Sequence, residues 1–202
     1  SQGRTVYYSA AGQYNDFSSV SAGNLTLTDD TLHSNINSLL SANNFLYIFG
    51  DDSINVFSDV RVGTNGVTTF TNTNVSASVG TRRPSSIFPY FRSVLFMNDY
   101  GVYALVGATT TKISDALDGV FPYIDFTYPV TGGQVLINNI LCAAFNFYFN
   151  DPILGLRPIQ AGFFDKKWFI TSQGTFKYTS SVPYLGIIYL YGTAGTDLVK
   201  AY

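Results

Sequence analysis

The chain has 202 residues, 12% of them charged and 16% aromatic. That is room for one large all-β domain with a sizeable core, and the balance excludes a disordered chain or a highly charged helical one. The formal charge of −2 and a pI near 5.1 supply no basic footprint for gripping nucleic acid.

All thirteen acids are Asp and no Glu occurs, so a good helix former is missing while a turn former is plentiful. Seventeen Phe and fifteen Tyr, with many Val, Ile and Thr, favour pleated, half-buried surfaces. The opening SQGRTVYYSAAG has neither a basic region nor a long apolar run, so it does not read as a signal peptide. No segment approaches the apolar length of a membrane-spanning helix. The first residue is Ser rather than Met, which implies a processed chain or a piece of a longer one.

In chain order, strands are expected at Thr5–Ser9 and, after the turn-like GQYNDF, at Asn24–Thr28. Thr31–Ser41 is ambiguous and reads as an approach segment to a first hairpin, Phe45–Phe49 with Ile54–Ser58 around Gly50-Asp51-Asp52-Ser53. Val67–Val75 follows, then a loop at Gly80–Ser85. A second hairpin pairs Val94–Met97 with Val102–Val106 around Asn98-Asp99-Tyr100-Gly101. Ala108–Gly119 reads as a polar stretch and Val120–Tyr128 as the next candidate strand. Val135–Ile137 and Leu141–Phe149 come next, and Asn150–Pro158, with two prolines, reads as a longer loop. Ala161–Phe164 and Trp168–Thr171 form a hairpin across Asp165-Lys166-Lys167, and Phe176–Thr179, Gly186–Tyr191 and Leu198–Tyr202 complete the series. Short strands with turn signals every 8–12 residues favour a sandwich or a propeller, with residues 1–202 as one domain.

The hairpin recurs. NFLYIFGDDSINVF at Asn44 is matched by RSVLFMNDYGVYAL at Arg92, 48 residues on, and by GIIYLYGTAGTDLV at Gly186. A unit of roughly 47–48 residues lies in the range of propeller blades. About four such units are expected, with the third stretched by the Asn150–Pro158 loop and the fourth legible mainly in its first strand.

Motifs that carry chemistry are sparse. The one histidine, His33, and the one cysteine, Cys142, lie far apart in sequence, and Cys142 sits in the apolar run VLINNILCAAF, as a buried inert thiol would. Arg82-Arg83 and Lys166-Lys167 read as solvated loop charges rather than a phosphate site. Asp115-Ala116-Leu117-Asp118-Gly119 lacks the alternating oxygen ligands and terminal Glu of a calcium loop and reads as a polar turn. The adjacent pairs Asp29-Asp30 and Asp51-Asp52 would point to opposite faces of a strand, so neither reads as a catalytic pair. Asn24-Leu25-Thr26 and Asn74-Val75-Ser76 match the glycosylation sequon as chance matches in an Asn- and Thr-rich chain. Tyr7, Tyr8, Phe88, Tyr90 and Phe91 are expected to pack between repeats. No catalytic, cofactor-binding or metal-binding residue is assigned, and no enzyme is expected.

Several stretches together resemble the β-propeller tail proteins of tailed bacteriophages. These are Gly3-Arg4-Thr5-Val6-Tyr7-Tyr8-Ser9 with Tyr14-Asn15-Asp16-Phe17, and Leu46-Tyr47-Ile48-Phe49-Gly50-Asp51-Asp52-Ser53-Ile54. Ser78-Val79-Gly80-Thr81 with Pro84-Ser85-Ser86, Val94-Leu95-Phe96 and Asp99-Tyr100-Gly101-Val102-Tyr103 resemble a further blade. Lys167-Trp168-Phe169 and Tyr191-Gly192-Thr193-Ala194-Gly195-Thr196 are similar to later ones. The resemblance implies a structural nozzle, hub or DNA-retaining tail protein of a short-tailed phage, without cofactor. It implies a ring of identical subunits, contacts with other tail or head proteins, DNA as passing cargo and no membrane insertion. The expected location is the virion tail, assembled in the bacterial cytoplasm. Two other readings stand beside it: a virion decoration or capsid-associated protein with a β-sandwich fold, and a carbohydrate-binding or glycan-hydrolysing propeller.

Overall fold

A computed structural model describes residues 3–28, 32–137, 139–172, 178–184, 187–192 and 198–200, with the strands beyond residue 170 described by their backbone alone. Among these residues there is no α-helix, and every regular element is a strand or a single turn of 3-10 helix. Two compact units divide the chain: residues 1–82 with 108–110, and residues 83–107 with 111–202.

The first unit opens with β1 (Thr5–Tyr8) and β2 (Gly23–Thr26), which form a two-stranded antiparallel sheet. A four-stranded meander follows, made of β3 (Ser38–Ala42), β4 (Phe45–Phe49), β5 (Ile54–Val62) and β6 (Thr68–Ser76). The β3–β4 turn is two residues long, and Asn43 and Asn44 both take positive φ (52° and 67°). Asn tolerates this conformation, and its twist matches that of the flanking strands. The core gathers Val6, Leu27, Leu32, Ile48 and Phe57, with Phe70 stacked on Phe57 at 4.6 Å. Each fully buried aliphatic or aromatic side chain contributes roughly 1.5–3 kcal/mol.

The next meander is β7 (Phe88–Tyr90), β8 (Ser93–Asn98), β9 (Gly101–Val106) and β10 (Thr109–Lys112). The second unit continues with β11 (Thr131–Ile137), β12 (Ile140–Asp151), β13 (Gly155–Phe164) and β14 (Lys167–Ser172), and then β15 (Tyr178–Tyr184), β16 (Ile187–Gly192) and β17 (Leu198–Lys200). Its main core packs Phe88, Leu95 and Met97 against Ala143, Phe145, Ile159 and Ala161. Gly132 makes the approach of β11 to β7 possible, since a Cβ there would stand 2.6 Å from the Phe88 ring and 2.8 Å from the Ser86 carbonyl. The Gln134 Nε2 bond to Pro89 O at 2.6 Å adds to it, and Tyr90 Oη of β7 reaches Leu141 O of β12 at 3.1 Å. The backbone of β11 also runs beside that of β15, so the first strands of three successive sheets are neighbours.

The second strands set the period. β4, β8, β12 and β16 begin at residues 45, 93, 140 and 187, intervals of 48, 47 and 47. The expected all-β repeat of antiparallel hairpins is therefore present, as successive meanders.

Three local expectations are corrected. Val120–Tyr128 is not a strand: Phe121–Tyr123 is a 3-10 turn, and only Ile124 makes an isolated bridge, to Phe149. Pro122 within this turn has no N–H for a ladder. Ala108–Gly119 is not simply a polar stretch, because it holds β10 and the 3-10 turn Asp115–Leu117. Asn150–Pro158 is not a long loop, because β12 runs to Asp151 and β13 resumes at Gly155. Pro158 pairs with Tyr148 of β12, and among the described residues the β13–β14 ladder runs only from Phe164 to Ile159. The third repeat is consequently in step with the others rather than stretched.

Candidate functional site

Most of the titratable residues singled out by sequence are held in structural contacts. Arg82 reaches Asp51 at 2.9 Å, and Asp51 also accepts from the Asn37 amide at 2.7 Å. Arg83 pairs with Asp99 at 3.0 Å, donates to Phe126 O at 2.9 Å and lies 4.8 Å above the Phe126 ring. Asp51 and Asp99 hold the same place in successive repeats, and each takes one of two consecutive arginines. Arg83, with its side chain 22% exposed, is thus a paired, half-buried cation and not a solvated loop charge.

Lys112 sits between Asp118 at 2.6 Å and Asp115 at 3.9 Å, and its amine is raised, chiefly by the hydrogen bond to Asp118. The acids of the Asp115–Gly119 stretch therefore serve a lysine. Among the described residues no group of three or more His, Cys or Asp side chains could hold a metal. His33 lies 3.5 Å from Asp52 in the first unit. Cys142, in the second, is 3% exposed, and burial pushes its thiol up, the opposite of what a nucleophile needs. Asn74 of the second sequon gives its amide to Asn55 at 3.1 Å, while Asn24 is exposed; Asp29-Asp30 lies outside the described residues.

The aromatic expectations divide. Phe88 and Tyr90 are buried at 7% and 6%, and Tyr8 packs edge-on to Phe70 at 5.8 Å. Tyr7 is half exposed, and Phe91 is 68% exposed. Phe91 occupies the β7–β8 turn at a φ of 51°, which carries its ring away from the core.

One exposed apolar surface is the end of the β12–β13 hairpin, which the sequence presents as a loop. Its tip, Asp151-Pro152-Ile153-Leu154-Gly155, leaves Ile153 90% and Leu154 68% exposed. Asp151 fixes that display, accepting from the backbone N–H of Ile153 at 2.9 Å and of Leu154 at 3.1 Å while pairing with Arg157 at 2.7 Å. These bonds, led by the Ile153 N–H, hold the Asp151 carboxyl below the usual range. Beside the tip, Tyr128 stacks on Tyr148 at 4.3 Å and Tyr123 leans on Phe149 at 5.8 Å. Tight turn chemistry thus holds two bare aliphatic side chains in water, an arrangement that suits contact with another protein.

At the other end of the same sheet, an open cleft of about 490 Å³ is lined by Ile140, Cys142, Phe164, Trp168 and Phe169, with Asp165 and Lys167 also in its wall. Trp168 is held by its Nε1–H bond to Ile113 O at 2.8 Å, and Phe169 lies over Gly162, its cross-strand partner. Asp165 and Lys166 form the two-residue β13–β14 turn, both at positive φ, which leaves Lys166 and Lys167 exposed.

No protein-family model matches this chain, and no curated protein matches it either.

Proposed function

We propose that this chain is a structural component of a bacteriophage tail, a nozzle or hub subunit that joins identical copies in a ring around the DNA conduit. The observation that carries the reading is the recurrence of antiparallel meanders whose second strands start 48, 47 and 47 residues apart. In the second unit the first strands β7, β11 and β15 also lie side by side, which is how blades of a propeller-like scaffold meet. Two of the stretches that resemble phage tail proteins fall on this repeat: Leu46–Ile54 covers most of β4, its turn and the start of β5, and Val94–Phe96 lies within β8.

Assembly is the task such a scaffold suits. Several of its described acids and bases are spent on internal pairs, and its exposed Ile153, Leu154 and Tyr123 are the kind of side chains that bury well between subunits. A mildly acidic chain also suits a conduit through which DNA must slide without being gripped. Other tail or head proteins are the further partners of this reading, and no catalytic step belongs to it. The test is antibody labelling of virions purified from a host infected by the phage that carries the gene. Gold at the tail is the expected result; antigen confined to the soluble lysate would remove the proposal.

A further inference from the structure

We infer that the Ile153-Leu154 tip of one copy seats in the apolar cleft at the opposite end of the same sheet in a second copy of this chain. This deepens the self-assembly part of the function proposed above and rests on it. Both surfaces belong to the second unit. The tip joins β12 to β13, whereas the cleft lies where β12 begins, β13 ends and β14 starts. The ten residues of β13 span roughly 30 Å at about 3.3 Å each, so the tip of a copy cannot reach its own cleft. The contact must therefore run between copies, head to tail, as a heterologous interface of the kind that closes into a ring or continues as a stack.

Size and polarity fit. A cleft of about 490 Å³ is several times the roughly 150 Å³ that admits a benzene-sized group, so it has room for both aliphatic side chains. Its walls are mainly apolar, with few converging polar groups of the sort a small metabolite would need for orientation. Charge fits as well. Among the described residues, Asp125, whose N–H bonds Tyr148 O of β12 at 2.8 Å, and Asp151 stand against Arg157 towards the tip, one net negative charge, whereas Asp165 at the cleft stands against the exposed Lys166 and Lys167, one net positive charge. Opposite signs at the two ends favour a second copy stacked in one direction and oppose tip-to-tip association. The tip is also fixed before it binds, because Asp151 already holds both N–H groups, so little ordering is needed on contact.

Sedimentation velocity over a concentration series tests this, using the full chain, a tip variant (Ile153→Asp with Leu154→Asp) and a cleft variant (Ile140→Asp, or Phe164→Asp if the first melts early). The wild type is expected to self-associate, and each folded variant to do so at least about tenfold more weakly. Mixed in equal amounts, the two variants should form a one-to-one dimer, because one intact tip then meets one intact cleft. A tip variant that assembles like the wild type, or folded variants that ignore each other in the mixture, would overturn the tip-and-cleft pairing and leave the assembly reading standing. A wild type that stays monomeric throughout would remove both.

Discussion

Tyr47 is fully buried, yet its hydroxyl has no hydrogen-bond partner among the described residues, and burial raises its ionisation above the ordinary value. A desolvated hydroxyl without a partner costs stability. Tyr47→Phe should therefore melt at the same temperature as the wild type or higher, gaining up to about 1 kcal/mol; a clear loss in thermal denaturation would show that the hydroxyl is bound. Asp16 is the opposite case, an exposed carboxylate surrounded by donors. The hydroxyl of Ser19 is the strongest, followed by the N–H groups of Ser18 and Ser19, and together they lower its pKa to about 2. Because the folded value lies below the ordinary one, its contribution to the loop is complete above the ordinary carboxyl value and is lost as pH falls through about 2. The Ser18 and Ser19 amide resonances should titrate with a midpoint near that lower value; a midpoint near the ordinary 3.8 would refute the arrangement. At this scale sequence is least telling. That Asp51 and Asp99 share a repeat position is legible, but that Arg82 pairs with the first and Arg83 with the second is not, since each pairing is made in space and not in sequence.

Ser86 shows how one side chain fixes an element. It is fully buried in the 3-10 turn Pro84–Ser86, where its Oγ accepts from the Met97 N–H at 3.1 Å and lies 2.7 Å from Arg83 O. The turn before β7 is thereby fastened to the end of β8. Ser114 does the same for β9, its Oγ accepting from the Val102 N–H at 2.8 Å. Ser86→Ala removes the buried hydroxyl that meets the Met97 N–H and should cost about 1–3 kcal/mol in chemical denaturation. A variant as stable as the wild type would mean that the turn is held by other contacts. The elements that sequence reveals are those whose pattern is local: Phe45–Phe49 matches β4 residue for residue because a continuous apolar run is bounded by turn formers. The first strand β3 is short and is read as part of an approach segment, and β7, shorter still and containing Pro89, is not singled out as a strand. They are strands because the next strand is two residues away and offers a ladder. β10, TTTK, carries no apolar signal and is a strand only because it extends a sheet. The β12–β13 tip stays hidden for a related reason: Pro152 and Pro158 read as loop signals, although one occupies the turn and the other lies within β13.

For the whole molecule, the period is the strongest property that the sequence carries, and the structure extends it. Two hairpins in close register, at Asn44 and Arg92, become four second strands at near-constant spacing, with the third repeat in step. Each meander leaves apolar faces that a neighbouring sheet must cover, and in the second unit Phe88, Phe145 and Ile159 do so between consecutive sheets. The Ile153-Leu154 tip and the cleft remain exposed within the single chain. Self-assembly through such surfaces is the central claim, and imaging of the purified chain together with its solution mass tests it most directly. The account predicts closed rings of identical copies around an open channel, with a mass that is a whole multiple of 22.1 kDa. A single species of 22.1 kDa at every concentration, with no ring in the images, would contradict it.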